Sequence, residues 1–255
     1  MHSLNTSPVL SKAFATGLLM LGLFAQIPAS QAALSINGTR VVFAGDQRSV
    51  ALVVSNPSQQ TYAVQTWINT ERDDTTTAVP FIASPPLFRL DPGKEQQVQI
   101  NRLPNDLPQD RESLFFFNVQ EIPQVETQEA DVLSIALRTR IKLFHRPAGL
   151  KDNPRQRLQD LQWSIRQIDG QAHLAVHNPT PFHVSFLRIE VKGNGRQQIF
   201  NSPAMAYPLS SQSYKLDALK VDGSKPAAGL QVSFSAVDDY GARVTPPPVA
   251  IQPLP

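Results

Sequence analysis

The 255-residue sequence contains no cysteine. No disulfide can staple this fold, and no thiolate can act as a nucleophile or metal ligand, so its order must rest on hydrophobic cores. The length allows that, because domains of about 100 residues bury enough apolar surface to stand without cross-links. Glycine is scarce, with 12 residues against 22 prolines, the reverse of average usage at roughly 7% and 5%. Between residues 80 and 108 a proline interrupts the chain every few positions. Few windows are long enough for a sound helix, so the composition favours short strands and rigid connections. An excess of one charge is also missing, with 23 basic against 21 acidic residues. That near balance gives no sign of a nucleic-acid partner.

Only one long apolar run exists, and it lies at the start. Ala13–Ile27, "AFATGLLMLGLFAQI", follows Lys12 and precedes Ser30-Gln31-Ala32. It is too short to span a bilayer comfortably. With small residues three and one before a cut after Ala32, it reads as a secretory signal peptide. Residues 1–32 are therefore expected to be removed. The exported chain then loses one positive charge and contains no membrane span.

Enzyme signatures are missing as well. There is no Gly-x-Ser-x-Gly elbow, no Walker-type loop and no His-Glu-x-x-His, motifs that carry nucleophilic, phosphate and zinc chemistry. His173, His177 and His183 are the one histidine cluster, and no carboxylate stands at obvious ligand spacing beside them. A strand pair and a turn explain them better than a metal site. The reading is of a non-enzyme with no cofactor, no metal and no small-molecule substrate. Trp67 and Trp163 sit in alternating patterns and read as core. Asp238 and Asp239 precede "YGAR" and alone would be a turn pair.

What the chain does have is two-residue alternation. Candidate strands are 34–43 (LSINGTRVVF), 49–56, 62–70, "FRLDPG" before a turn, 95–103, 113–122 and 132–144. About seven short strands in about 115 residues, with turn signals between, is the pattern of an immunoglobulin-like sandwich. Periodicity breaks at "HRPAGLKDNPRQR" (145–157), where proline, glycine and charge gather as in linkers. A second β series follows. "IDGQ" within it predicts a two-residue hairpin turn, because Asp-Gly tolerates positive φ. No convincing repeat relates the halves, and the tail "VTPPPVAIQPLP" either closes the second sandwich or trails.

The longest alternation is "VLSIALRTRIKLFHRP", Val132–Pro147. One parity gives Leu133, Ile135, Leu137, Thr139, Ile141 and Leu143. The other is small or basic, with Arg138, Arg140 and Lys142. Cations also interrupt apolar strands at Arg40, in "TRVVF", and at Lys142, in "RIKLF". Such charges usually face solvent. The alternative is anion recognition in a partly desolvated cleft.

These stretches carry a resemblance. "LPQDRESLFFFNVQEIP" (107–123) is similar, over its whole length, to the signature of the periplasmic pilus (fimbrial) assembly chaperones, the PapD-like proteins. "LSINGTRVVF", "LSIALRTRIKLFHRP", "ASPPLFRLDPG" (83–93) and "HNPTPFHVSF" (177–186) resemble the same family. The resemblance covers nearly all of 33–255 and is densest in the first half.

The resemblance implies an all-β chain of two immunoglobulin-like β-sandwich domains in a boomerang arrangement. With the signal at 1–32, the domains are expected at 33–147 and 154–255, joined by a linker at 148–153. It implies a periplasmic protein that holds incomplete pilin subunits by donor-strand complementation and passes them to an outer-membrane usher. Arg40 and Lys142 match the family's anchor for the subunit's C-terminal carboxylate. Leu133, Ile135 and Leu137 match its groove-filling residues, with Ile141 extending the row. Glu112, Arg146 and Asp239 match an interdomain ion network, with Asp238 as the neighbouring alternative. The short link between 123 and 133 resembles the short-loop branch. An exposed apolar edge would also allow self-capping as a homodimer. The competing reading is a structural or adhesive surface sandwich with a carbohydrate site near a tryptophan.

Overall fold

The computed structural model describes residues 34–74, 76–123, 136–193, 195–217 and 229–251. The first half contains β1 (Ser35–Ile36), β2 (Arg40–Ala44), β3 (Ser49–Ser55), β4 (Tyr62–Asn69), β5 (Phe81–Ser84), β6 (Leu87–Leu90), β7 (Glu95–Arg102), β8 (Ser113–Pro123) and β9 (Arg138–Arg146). One turn of helix, α1 (Pro154–Arg157), and a short 3-10 turn (Leu158–Asp160) precede the second half. Asn153 caps α1 by accepting a hydrogen bond from the Arg155 amide, with Pro154 at the helix start. Then come β10 (Gln162–Ile168), β11 (Gln171–Asn178), β12 (Phe186–Gly193), β13 (Arg196–Asn201), β14 (Ser210–Lys215), β15 (Gln231–Val237), β16 (Arg243–Val244) and β17 (Val249–Ala250).

Alternation becomes two sandwiches. The first stacks a β1-β3-β7-β5 sheet on a β2-β9-β8-β4-β6 sheet, and the second pairs a β10-β11-β14 sheet with β13-β12-β15-β16, where β17 also joins β15. Each half buries its own cluster. Phe43, Val64, Val98, Ile100, Phe117 and Leu143 centre the first, and Trp163, Leu174, Ile189, Val191 and Val232 centre the second. At about 1.5–3 kcal/mol for each fully buried large side chain, these clusters supply the cohesion that disulfides would otherwise provide.

Several expectations are refined. The stretch 34–43 is not one strand. Asn37, Gly38 and Thr39 break it, so that β1 pairs with β3 in one sheet and β2 pairs with β9 in the other. The Asn37 side chain fixes the switch by accepting a hydrogen bond from the Val53 amide at 3.0 Å. The "IDGQ" turn joins β10 to β11, with φ of 49° at Asp169 and 74° at Gly170. The tail closes the second sandwich as far as it is described: Val249 pairs with Val232, and the Ile251 amide bonds Leu230.

The halves also share a device that their sequences conceal. In "SNPSQ", buried Asn56 accepts from Ser58 and donates to the Gln60 and Leu90 carbonyls. In "HNPTP", buried Asn178 accepts from Thr180 and donates to the Phe182 and Tyr207 carbonyls. The same Asn-Pro-Ser/Thr turn satisfies buried backbone groups in each sandwich.

Gly45 marks the tightest backbone approach. A Cβ there would lie 2.6 Å from the Ala148 amide nitrogen and 3.0 Å from the Arg146 carbonyl. Its own amide donates to that carbonyl at 2.7 Å. Backbone on every side cannot yield cheaply, so Gly45→Ala is expected to destabilise the protein by about 1–3 kcal/mol in chemical denaturation.

Candidate functional site

The site grows from strand register. β2 and β9 run parallel, and Arg40 stands opposite Lys142. Neighbouring positions in adjacent strands project to the same face. Two cations therefore stand side by side on the outer face of the first sandwich. Arg40 Nη1 donates to the Val237 carbonyl at 3.1 Å, and Lys142 Nζ donates to Ser185 Oγ at 3.0 Å. Both partners belong to the second sandwich, so the pair lies where the halves meet. Neither cation has an ion-pair partner within 4 Å among the described residues. Burial holds the Arg40 guanidinium below its ordinary pKa, with Asp239, Asp238 and Glu112 opposing the shift. Burial, and then the Arg40 charge, push Lys142 down in the same way. Two half-buried like charges without a carboxylate are an arrangement that an incoming anion would relieve.

The register also leaves an edge open. β9 pairs with β8 from Arg138 onward, whereas its pairing with β2 begins only at Lys142. Among the described residues, the stretch 138–141 thus has a strand neighbour on one side alone. Just before it, Leu137 is 52% exposed. Ile141 departs from the expectation. Only 8% exposed, it packs in the first sandwich's own core with Leu143, so it cannot fill another protein's groove. Leu133 and Ile135 lie outside the described residues, as does the link 124–135.

A second cluster lies behind the cationic pair. Arg146 Nε donates to Glu112 Oε1 at 2.8 Å, and its two terminal nitrogens hold Asp239 at 2.7 and 2.8 Å. Burial opposes the Arg146 charge, but Asp239 and Glu112 outweigh it and raise the pKa. Asp238 takes a different part, accepting from the Tyr240 and Ala242 amides to close the turn before β16. His183 was grouped by sequence with His173 and His177, but it belongs to this cluster. Its backbone amide donates to Glu112 Oε2 at 2.8 Å, and its Nδ1 lies 3.1 Å from the same oxygen. The other two histidines sit on β11.

Trp67 corrects a further expectation. It is not core: β4 turns it to the outer face, where the Arg138 guanidinium stacks 4.8 Å from its ring centre. Arg140 covers Phe116 in the same way at 3.7 Å. Arg138 is held by Asn118 and Asp73. That contact, and then Asn69, pull the Asp73 carboxyl down to about 2. Tyr207 of the second sandwich donates to Glu71 in the neighbouring turn. Burial, followed by that carboxylate, pushes the Tyr207 hydroxyl up to about 12. Sequence spacing gave no signal for this bridge across 136 positions. Trp163 is buried against Phe186 and Phe234. With one tryptophan interior and the other stacked under arginine, a glycan-stacking platform is not favoured.

Residues 33–151 match the family described as pili and flagellar-assembly chaperone, PapD N-terminal domain, and 156–247 match its C-terminal domain. The chain belongs to the PapD-like pilus-assembly chaperones. It is 40% identical over 246 residues to the chaperone protein FimB/FhaD of Bordetella pertussis, covering 93% of this chain and 95% of that one. It is 35% identical to the probable fimbrial chaperone YadV of Escherichia coli K12, over 90% and 94% of the two chains. The YadV crystal structure superposes with a TM-score of 0.72 at 34% identity, covering 86% of this chain and all of that one. The Salmonella enterica SafB chaperone, solved in complex with the SafA pilin, shares the fold at a TM-score of 0.70 and 24% identity, over 88% and 99%. A chaperone family is not an enzyme class. Among the described residues of this chaperone, no helix is long and apolar enough to cross a membrane.

Proposed function

We propose that this chaperone captures pilin subunits in the periplasm by lending them β9 and the segment before it, and presents them to an outer-membrane usher. The observation that carries the reading is the open edge of β9 at 138–141, which ends at the Arg40–Lys142 pair. A client strand hydrogen-bonded along that edge must stop where β2 begins. There its terminal carboxylate meets two cations that lack an acidic partner. Backbone pairing supplies affinity, and apolar side chains of the donated strand, Leu137 with Leu133 and Ile135, fill the client's groove. The anchor also sets register, since a slip of one residue turns every apolar side chain to the wrong face. SafB, which shares the fold, holds a pilin. In this reading residues 1–32 direct export with cleavage after Ala32, and the short link between 123 and 133 supports membership of the short-loop branch. The same open edge would allow self-capping between two copies before a client arrives.

The test is a pull-down of the tagged protein from the periplasm of its source bacterium. A small pilin co-purifying one to one with the unaltered chaperone is the expected result, and a chaperone recovered alone would refute the reading. Leu137→Glu probes the donated strand. Leu137 is half-exposed, so stability should change by about 0.5 kcal/mol or less. Client affinity, measured by titration, should fall roughly tenfold or more, because a buried leucine is worth about 1.5–3 kcal/mol.

A further inference from the structure

A second cationic site lies away from the cleft, at the end of the first sandwich. His145 occupies the core parity of β9 and is 2% exposed, against Phe43 and Phe81. Neither of its ring nitrogens has a hydrogen-bond partner among the described residues. A buried polar group left in that condition costs about 1–3 kcal/mol, so its retention in an aromatic cluster calls for a reason. His145 lines a pocket of about 460 Å³ that also contains Arg48, Arg102, Pro104, Asn105 and Gln109, and no carboxylate. Arg48 and Arg102 are backbone neighbours, the Arg102 amide donating to the Arg48 carbonyl at 3.0 Å. Arg102 is further fixed by a 2.6 Å hydrogen bond from Nη1 to the Gly45 carbonyl. Burial, and then the Arg102 charge, keep the imidazole below its ordinary pKa.

We propose that this pocket binds a small oxyanion, a phosphate or a carboxylate, between the Arg48 and Arg102 guanidiniums and above His145. Two guanidiniums supply forked, charge-assisted donors suited to a planar or tetrahedral oxyanion. Asn105 and Gln109 also line the pocket, but their amides already donate to the Leu103 and Leu107 carbonyls, so the two arginines carry the recognition and the unpartnered His145 imidazole would supply a further contact. Gly45 connects the pocket to the ion cluster, since its carbonyl accepts from Arg102 and its amide donates to the Arg146 carbonyl. None of the pocket's residues belongs to the client-binding edge, so the site is separate from subunit capture.

Isothermal titration calorimetry of the purified protein with inorganic phosphate, at constant ionic strength in chloride, tests the assignment. Acetate forms a second arm. Saturable one-site binding of either anion is expected, and whichever binds more tightly identifies the ligand class. Arg48→Ala should weaken binding about tenfold or more, the effect of removing a charge-assisted hydrogen bond. His145→Phe, which suits the aromatic cluster, should also weaken it. If that variant does not fold, Arg48→Ala decides alone. The isotherm should survive Arg40→Ala with Lys142→Ala, which removes the other cationic site. No saturable heat with either anion, an isotherm indifferent to Arg48→Ala, or one abolished by the cleft variants would each overturn the proposal.

Discussion

Lys142→Ala is expected to leave a folded protein that no longer holds its client, with affinity down at least about 30-fold. Truncating one member of a buried charge contact costs about 2–5 kcal/mol in a complex, much of it from the partner charge left without a counterpart. Here the stranded group would be the client's carboxylate, enclosed between β9 and the second sandwich. The free protein loses little by the same change. Its lysine donates only to the neutral Ser185 hydroxyl, and removing it relieves repulsion with Arg40 across the β2–β9 pair. Arg40→Ala should act in the same direction but disturb the free protein more, because Arg40 ties the Val237 carbonyl. Lys142→Arg keeps the charge and should retain part of the affinity. A client peptide amidated at its C-terminus should reproduce the lysine deletion on the unaltered chaperone. A client lengthened by one residue should bind worse still, since register would slip. If the amidated peptide binds as well as the free acid, the carboxylate anchor is wrong while the donated strand stands.

The sandwich architecture was legible because alternation is a local signal. Val98 and Ile100 point inward and Gln97 and Gln99 outward, as their spacing required. The cationic pair was legible only through family resemblance, since each charge alone reads as a solvent-facing interruption. What escaped the sequence was set by distant neighbours. Leu137 and Ile141 share parity, yet one is open and the other interior. The difference is which part of β9 lies against the opposite sheet, since Ile141 joins the first sandwich's core and Leu137 does not, a fact of tertiary packing rather than of either residue. Alternation across 34–43 likewise hid the switch of sheets, because both ends of the break obey the same period. Trp67 follows a strand pattern that does not say which face the opposite sheet covers. His183 and Asn178 lie in a stretch marked as family-like, but their partners Glu112 and Tyr207 are far along the chain. Chemical type predicted that these groups would need partners and gave no indication which.

Arg146→Ala should be the most destabilising of the charge deletions. Glu112 is almost wholly enclosed, its side chain 2% exposed, and among the described residues Arg146 is the one full cation paired with it. His183 would still donate its amide, but a carboxylate buried without its cation typically costs about 3–5 kcal/mol. For a protein of this size that corresponds to a melting temperature lower by roughly 6–20 °C. Asp239→Ala offers the internal comparison. Its side chain is one-third exposed, so water replaces the lost guanidinium contact and the cost should stay near 1 kcal/mol or below. A charge-neutral replacement of both buried partners, Arg146→Met with Glu112→Leu, should recover much of the stability lost in Arg146→Ala, because the penalty lies in the uncompensated charge more than in the absent pair. The cluster's role is then tested by shape. Arg146 on β9 reaches Asp239 after β15, and Glu112 before β8 reaches His183 before β12, so both contacts join the two sandwiches. Small-angle scattering of the double replacement should report a broader range of interdomain arrangements even where thermal stability has returned. Restored stability with an unchanged scattering profile would leave the cluster as a pair of satisfied charges and assign control of the interdomain arrangement to the Arg40–Val237 and Tyr207–Glu71 contacts.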